Sequence, residues 1–437
     1  MIGLGLGLTS SAVNKLTANI ITLLNLGYEG LITGGNLDNS RATTATFVDF
    51  EGVTRTARAG ETRMQGAWRV ENLLTASENF ADAAWVVGAG GSGAAATKTP
   101  NYSVAPDGTT TACLVQLTKN AGTTSNDYSV LKQVVSSVTN SRGSIWLKSN
   151  EAGNVNITIG TSNVRQSVTL TQTWQRFTHP VDTSATTEFR IELLGGQTPI
   201  NPNTANILIW HPMFEDKTSS TNTAPAPYLS SATEYNATVN GVKYFGVQNG
   251  NTVAANVVTE AAGATISPKP YILLGATDNI KVVASSGTNW QQTCGLVLMK
   301  FTPSYSAAAT SMTPLLTSGS TVLAIDATQG YVVTDGTNTV TSSSSDLTSG
   351  VSTIIAVAWD SDEMKMDVGY SNDGGTTFAP WHEDNYDGAF DLSSYIEWFK
   401  DNGETNYLHR CKIYSTNRKT LSQVRLWTES NAAAEMA

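Results

Sequence analysis

Charge is what this chain has least of. Only 14% of its 437 residues are Asp, Glu, Lys or Arg, against the ~25% usual for soluble proteins. The 26 Lys+Arg are outnumbered by 36 Asp+Glu, a net charge of -10, and no dense Lys/Arg run appears. A nucleic-acid footprint needs clustered positive charge, so nucleic acid is excluded as a partner. Cysteine is nearly absent. Cys113, Cys294 and Cys411 are odd in number and far apart, with no CxxC, which excludes a zinc ribbon or a disulfide scaffold and leaves three buried free thiols as the expectation. The four His residues, His179, His211, His382 and His409, form no HExxH pair. No GxSxG elbow or Walker loop occurs, so the sequence assigns no catalytic residue, no metal ligand and no cofactor. Long apolar runs are missing too. Met1–Leu8 is broken by glycine and Leu16–Leu26 is interrupted by Thr17, Asn19, Thr22 and Asn25, so no membrane-inserting helix and no convincing signal peptide is expected.

In place of charge stand Thr, Ser, Asn, Ala and Gly, a mixture that favours strands and turns. Hydrophobic content of 40% with 10 Trp is enough to build packed cores. Short alternating segments recur: Val155/Ile157/Ile159, Phe189/Ile191/Leu193, and Trp174-Gln175-Arg176-Phe177-Thr178, in which Arg176 and Phe177 take opposite faces. The run Ile207–Trp210 reads as a buried strand. Glu188 and Glu192 fall on one strand face. The Ser/Thr/Asn/Pro-rich stretch Lys217–Pro227 marks a domain edge near Ser230, after which strands resume at Leu296–Phe301, Val322–Ile325 and Ile354–Trp359. Asp335-Gly336 predicts a hairpin. Ala12–Leu26 has the apolar spacing of a short amphipathic helix, and Thr420–Trp427 that of another with Thr420 or Ser422 as its cap.

The fold class expected is all-β: two β-sandwich or jelly-roll domains, 70–230 and 231–437, preceded by an N-terminal docking segment, 1–69, with a short helix. No repeat with a fixed period is present, which disfavours a solenoid or propeller. Gly88–Gly93 matches GxGxxG after the strand-like Trp85–Val87, but Ala94–Pro100 is too punctuated for the helix that dinucleotide binding needs, so a loop is expected. Arg55, Arg58, Arg63 and Arg69 are offset by Glu51, Glu61 and Glu71, the pattern of a solvated or interface surface. Asp360, Asp362, Glu363 and Asp367 read as an exposed acidic turn, because a Ca2+ site needs ~6–8 convergent oxygens. Trp381, His382, Glu383, Asp384 and Tyr386 combine two aromatic rings with carboxylates and a His in one stretch. These residue types can stack a sugar ring and bond its hydroxyls, making them the glycan-binding candidates.

Three resemblances add to this reading. Ser371–Phe378, with Asp373 and Gly375, resembles the Asp box SxDxGxTW/F of sialidase-like proteins, where the box is a structural turn remote from catalysis; a single copy implies a stable hairpin. Asn72-Leu73-Leu74-Thr75-Ala76-Ser77-Glu78-Asn79-Phe80, followed by Trp85, resembles the N-L-L-x-x-S-E-x-F opening of a jelly-roll module common in bacteriophage head-spike and tail-fibre proteins and similar to carbohydrate-binding modules. The module's A-P-D-G-T turn is matched by Ala105–Thr109, with Asp107 and Gly108 as its structural turn. Its f-S-v-W-l-K strand is matched by Gly143–Lys148, its W-x-R-F strand by Trp174–Phe177 and its exit by Ala226–Leu229. Arg41–Gly52 resembles the lead-in that precedes such modules. The C-terminal part is similar to concanavalin/laminin-G-type sandwiches, down to an ending carried by Ile413-Tyr414-Ser415, Leu421-Ser422 and Val424.

The resemblance implies a non-enzymatic bacteriophage virion protein, a fibre, spike or head-decoration subunit on the outer surface of the particle. It implies attachment to other virion proteins through the N-terminal segment, self-assembly as a homo-oligomer, with a trimer expected first, and host surface glycans as the external ligand. A glycan-degrading tailspike enzyme and a secreted bacterial carbohydrate-binding protein are the alternatives.

Overall fold

The computed structural model describes residues 21–26, 32–33, 35–220, 224–231, 242–245, 253–254, 257–258, 271–275, 278, 280–284, 293–306, 313–342, 347–378, 381–386, 392, 395–399, 406–416 and 419–437. Among these residues it is an all-β fold of antiparallel sheets with a C-terminal helix. The chain forms two units: one comprises Met1–Ala67, Asn236–Thr238 and Pro268–Ala437, the other Trp68–Tyr235 and Val239–Ser267.

The second unit is a sandwich of two five-stranded sheets. One sheet runs, edge to edge, Gln175–Thr178, Ser141–Ser149, Thr204–Asp216, Ala112–Thr118 and Ala94–Ser103. The other runs Arg165–Leu170, Val155–Gly160, Thr186–Leu194, Tyr128–Val138 and Trp85–Gly90. Alternation decides what each strand buries. Ile145, Leu147, Ile207, Ile209, Cys113 and Val115 from the first sheet meet Leu131, Ile157, Ile159, Phe189, Ile191 and Leu193 from the second in one core that also takes Trp85 and Phe214. The expected strands at 155–159, 174–178, 189–193 and 207–210 are all present, and Phe177 packs toward this core. The Gly-rich stretch 88–93 ends strand Trp85–Gly90 and makes the tight turn that carries the chain across to Ala94–Ser103 in the other sheet. There a Cβ at Gly93 would stand 2.0 Å from the carbonyl oxygen of Tyr128, so glycine serves close backbone approach.

Unit one carries two larger sheets. The first runs Ile32–Thr33, Ile21–Leu26, Asn406–Ser415, Cys294–Pro303, Thr353–Asp360, Lys365–Ser371 and His382–Asn385, with Tyr271–Leu274 and Met64–Gln65 joined alongside. The second runs Thr339–Thr341, Gly330–Thr334, Thr321–Asp326, Thr313–Ser318, Tyr395–Trp398, Ile280–Ala284 and Gly35–Asn39. The helix expected over Ala12–Leu26 is corrected where it can be seen. Ile21–Leu26 is a strand paired with Cys411–Ser415, because a partner strand satisfies its backbone while Ile, Thr and Leu suit a pleated surface; the rest of that segment, like the Gly/Leu arm Met1–Leu8, lies outside the described residues. Both Ile21–Leu26 and Gly35–Asn39 are therefore built into sheets of the C-terminal half.

The hairpin at Asp335-Gly336 forms as expected. Helix Leu421–Glu435 starts at the expected cap, where Thr420 and Gln423 make a reciprocal capping box, and runs two turns further than its sequence spacing implied. Its Leu421, Val424, Trp427 and Ala432 cover Leu296, Leu298, Ile354 and Ala356. All three thiols are buried and free.

Candidate functional site

In the first sheet of the second unit, the residues that alternate with the core-facing ones form the outer face, and the strand register arranges them in rows. Gln116 pairs with Thr97 and with Asn206. Thr97 Oγ1 donates to Gln116 Oε1 (3.0 Å), Gln116 Nε2 to Asn206 Oδ1 (2.9 Å), and Asn206 Nδ2 to Glu151 Oε1 (2.7 Å), a ladder of hydroxyl, amides and carboxylate across the sheet. The next row holds Leu114, Leu208 and Lys148, with Trp174 at the entry to the edge strand. The Lys148 ammonium stands 6.0 Å from the Trp174 ring centroid. The third row is Ala112, Trp210, Trp146 and Arg176, in which the indoles of Trp146 and Trp210 meet edge-on at 6.4 Å.

Two local devices shape this face. The first is the turn Ala105–Thr109. Asp107 Oδ1 accepts from the Thr109 amide (3.0 Å) and hydroxyl (2.7 Å), which holds its carboxyl below the usual range, and Gly108 takes φ +85°. The connection folds back over the indoles: Ala105 packs on Trp210, Trp174 Nε1 donates to the Val104 carbonyl (3.3 Å) and Trp210 Nε1 to Thr111 Oγ1 (3.1 Å). Asp107 and Gly108 thus lie in a turn that the Asp107 carboxylate closes on Thr109.

The second device is a β-bulge. Register between Ser141–Ser149 and Thr204–Asp216 shifts between Ser144 and Trp146, and His211 adopts φ +47°. This re-aims the imidazole into a stack, 3.3 Å from Trp210 and 3.7 Å from Tyr228 by ring centroids. Burial pushes the His211 pKa down to about 4, against the pull of Asp107, and raises that of the Tyr228 phenol. Arg176 is fixed beside the stack by Nη2 bonds to Ser144 Oγ (2.8 Å) and the Ala226 carbonyl (2.7 Å).

Trp146, Trp174, His211 and Tyr228 remain half-buried, while Thr97, Gln116 and Tyr102 are exposed. The face therefore offers ring surface next to fixed amide donors and acceptors. A sugar presents an apolar ring face and a rim of hydroxyls, and this arrangement matches both.

The residues singled out from sequence lie elsewhere. Trp381 precedes the edge strand His382–Asn385. Its indole stacks on Phe378 (5.8 Å, 14°), lies against the Gly369 backbone and donates Nε1–H to Glu429 Oε1 (2.9 Å). Glu383 bonds Arg425 (2.6 Å), Asp384 Oδ1 accepts from the Asn385 amide (2.7 Å), His382 is half-buried, and Tyr386 is 2% exposed. The structure thus does not bring the rings of Trp381 and Tyr386 to a shared open surface.

Asp373 sits in a turn, accepting from the Thr377 hydroxyl, from the amides of Thr377 (2.9 Å) and Thr376 (3.0 Å) and from the Ser371 hydroxyl (2.7 Å), which hold its carboxyl low. Gly375, at φ +91°, passes so close to the helix that a Cβ would stand 2.8 Å from Ala433 N. Of the exposed acidic turn expected at 360–367, Asp362 and Glu363 are exposed and in a turn, and the expectation is corrected for Asp360 and Asp367. Asp360 is buried and accepts from the amides of Asp362 (2.8 Å) and Glu363 (3.2 Å), and Asp367 is buried against Arg425, because carboxylates that cap a turn or pair with a guanidinium can leave water. Asp360, Asp362 and Cys294 are the metal-capable group among the described residues, and Asp360 Oδ1 is already occupied by its turn and by the Cys294 thiol (3.4 Å).

No protein-family profile matches the chain, and no curated protein matches it. Among solved structures it is similar to the receptor-binding domain of botulinum neurotoxin mosaic serotype C/D (10% identity over 37% of this chain and 42% of that one, TM-score 0.28). It is similar also to the family 11 carbohydrate-binding module from Clostridium thermocellum in complex with a β-1,3-1,4-mixed-linked tetrasaccharide (12% identity, 34% and 95%, TM-score 0.24). A third is arcelin-5, a lectin-like defense protein from Phaseolus vulgaris (9% identity, 34% and 88%, TM-score 0.24). The chain spans less than half of the toxin domain's length. These likenesses are remote, and the all-β fold follows from the strand pairings themselves.

Proposed function

We propose that this chain is a non-enzymatic structural subunit on the outer surface of a bacteriophage particle, and that its Trp68–Tyr235 unit binds host surface glycans without cleaving them. The observation that carries glycan binding is the outer face of the first sheet. There the half-buried indole of Trp174 stands in the row beside the hydrogen-bonded ladder Thr97–Gln116–Asn206–Glu151, with the half-buried indole of Trp146 one row further on. Fixed amides bond hydroxyls at little ordering cost, and rigid indoles supply contact area with few rotamers to freeze.

The virion placement is supported by the ordered motifs between Asn72 and Leu229: Gly143–Lys148 and Trp174–Phe177 fall on strands, Ala105–Thr109 on a turn, and Asn72–Phe80 and Ala226–Leu229 on the irregular segments that enter and leave the sandwich. Attachment through N-terminal residues and assembly as a homotrimer complete the reading. The test is calorimetry of the purified protein with host capsular or wall polysaccharide, alongside a reducing-end assay. Saturable binding that weakens about tenfold in Trp174→Ala, equivalent to about 1.4 kcal/mol, with no new reducing ends, is the expected result. Release of reducing ends would overturn the non-enzymatic reading, and binding unaffected by both Trp174→Ala and Trp146→Ala would move the site elsewhere. Immunogold labelling of particles tests the placement.

A further inference from the structure

We infer that the outer-face site selects glycans bearing a carboxylate, the uronic-acid class, through Lys148. This rests on the glycan-binding reading above and names its ligand class. Among the described side chains of this unit, every Lys and Arg except Lys148 has a carboxylate, carbonyl, amide or hydroxyl oxygen as partner. Lys98 and Lys119 donate to backbone carbonyls; Lys132, Arg165 and Arg190 pair with Glu188 or Glu192; Lys217 pairs with Glu215 and Arg69 with Glu71. Arg142 and Arg176 reach the hydroxyls of Thr178 and Ser144.

Lys148 has only the Trp174 ring, at 6.0 Å, the outer limit of cation–π attraction at about 6 Å. In a chain with an excess of ten negative charges, a half-buried lysine whose ammonium has no counter-ion stands out. The carboxylate on the neighbouring row, Glu151, has Oε1 engaged by both the backbone amide (2.6 Å) and the side-chain amide (2.7 Å) of Asn206. A pyranose lying on Trp174 presents its rim to Lys148 on one side and to the amide ladder on the other. A ring carboxylate at that rim gains a charge-assisted hydrogen bond in a partly desolvated place, while the ladder takes the hydroxyls. A neutral sugar leaves the ammonium as it is in the free protein.

The experiment measures binding of the intact chain to tetrasaccharides of galacturonate, mannuronate and hyaluronan, each as the free acid and as its methyl ester, for wild type, Lys148→Met and Trp174→Ala. Methionine keeps an unbranched, flexible side chain and removes the charge. The expected result is that at least one free acid binds about tenfold more tightly than its ester, that Lys148→Met abolishes that difference with the ester's affinity unchanged, and that added salt weakens only the acid. Equal affinity for acid and ester, or an acid preference that survives Lys148→Met, overturns the inference. If all three acids fail while neutral host polysaccharide still binds and still depends on Trp174, the carboxylate selectivity falls and the glycan-binding function stands; if no polysaccharide binds, both fall.

Discussion

Asn72 holds Leu229: its Nδ2 donates to the Leu229 carbonyl at 2.9 Å, tying the first residue of the jelly-roll motif to the last. The same buried amide donates to the Pro212 carbonyl (3.2 Å), while its oxygen accepts from the amides of Leu74 (3.2 Å) and Phe214 (3.2 Å). Entry strand, central strand and exit are thereby joined by one side chain. Replacing Asn72 with Ala leaves two carbonyls and two amides of the main chain without these partners in a dry place. The expected cost is about 2–4 kcal/mol of unfolding free energy, read as a lower urea midpoint with an unchanged slope. A loss below ~0.5 kcal/mol would mean that the exit is held by other contacts.

Such motifs were legible because each is local. Asp107-Gly108 and Asp373–Gly375 cap their own turns, and Thr420 caps its own helix. Alternation also told inside from outside, which is why Ile157, Phe189 and Ile207 sit in the core as expected. It said nothing about which strand lies beside which. The outer-face site draws Thr97, Gln116, Lys148, Trp174 and Asn206 from five segments. Their adjacency follows from sheet order alone, so the sequence pointed instead to Trp381–Tyr386, where aromatic and acidic residues are contiguous in the chain. Ile21–Leu26 failed as a helix for the same reason: its decisive partner, Asn406–Ser415, stands at the other end of the chain. A cue was present in the outward Trp146 and Trp174 of two of the motifs, where polar residues were due.

Acid weakens the second unit through His179. This imidazole is fully buried between Phe189 and Phe214, its Nε2 accepts from the Gly143 amide (2.7 Å), and Nδ1 lies 2.5 Å from the Pro180 carbonyl. It is therefore held neutral, and burial lowers its pKa from 6.5 to about 4. Above pH 6.5 both folded and unfolded states are neutral. As pH falls toward 4 the unfolded chain takes a proton that the native state refuses, so stability drops, by up to about 3 kcal/mol. His211 titrates in the same window, whereas the raised Asp367 and Glu192 act with the opposite sign. The difference between wild type and His179→Gln isolates the one group: the gap between their unfolding free energies should narrow from pH 7 to pH 4.5. A constant gap would show that His179 is protonated normally in the native state.

The helix of the first unit rests on a buried charge pair. Asp367, whose side chain is wholly buried, receives Nε and Nη2 of Arg425 at 2.5 and 2.6 Å, and burial raises its pKa despite that partner. Arg425→Ala leaves the carboxylate buried alone and should destabilise this unit by about 3 kcal/mol. The double variant Arg425→Met/Asp367→Leu removes both charges and should recover most of the loss. Thermal unfolding of the three proteins decides it; equal destabilisation by the single and double variants would mean that packing, rather than the stranded charge, sets the cost.

Trp381 and Trp174 separate two sites that composition alone cannot. Both are half-buried tryptophans, but their surroundings differ. Trp381 lies between Phe378 and the Gly369 backbone and bonds Glu429 of the C-terminal helix, so it works as packing for that helix. Trp174 anchors Val104 through its ring nitrogen and keeps its ring beside Lys148 and the outer face. Trp381→Ala should therefore lower the melting temperature of the first unit, by the equivalent of about 2–4 kcal/mol for a large packed aromatic, and leave polysaccharide affinity unchanged. Trp174→Ala should do the reverse, with a small change in melting and about tenfold weaker binding. The two measurements on two variants form a cross. If Trp381→Ala abolishes binding in protein that still melts cooperatively, the site belongs to the Trp381–Tyr386 stretch, and the outer face of the sandwich is a packed surface only.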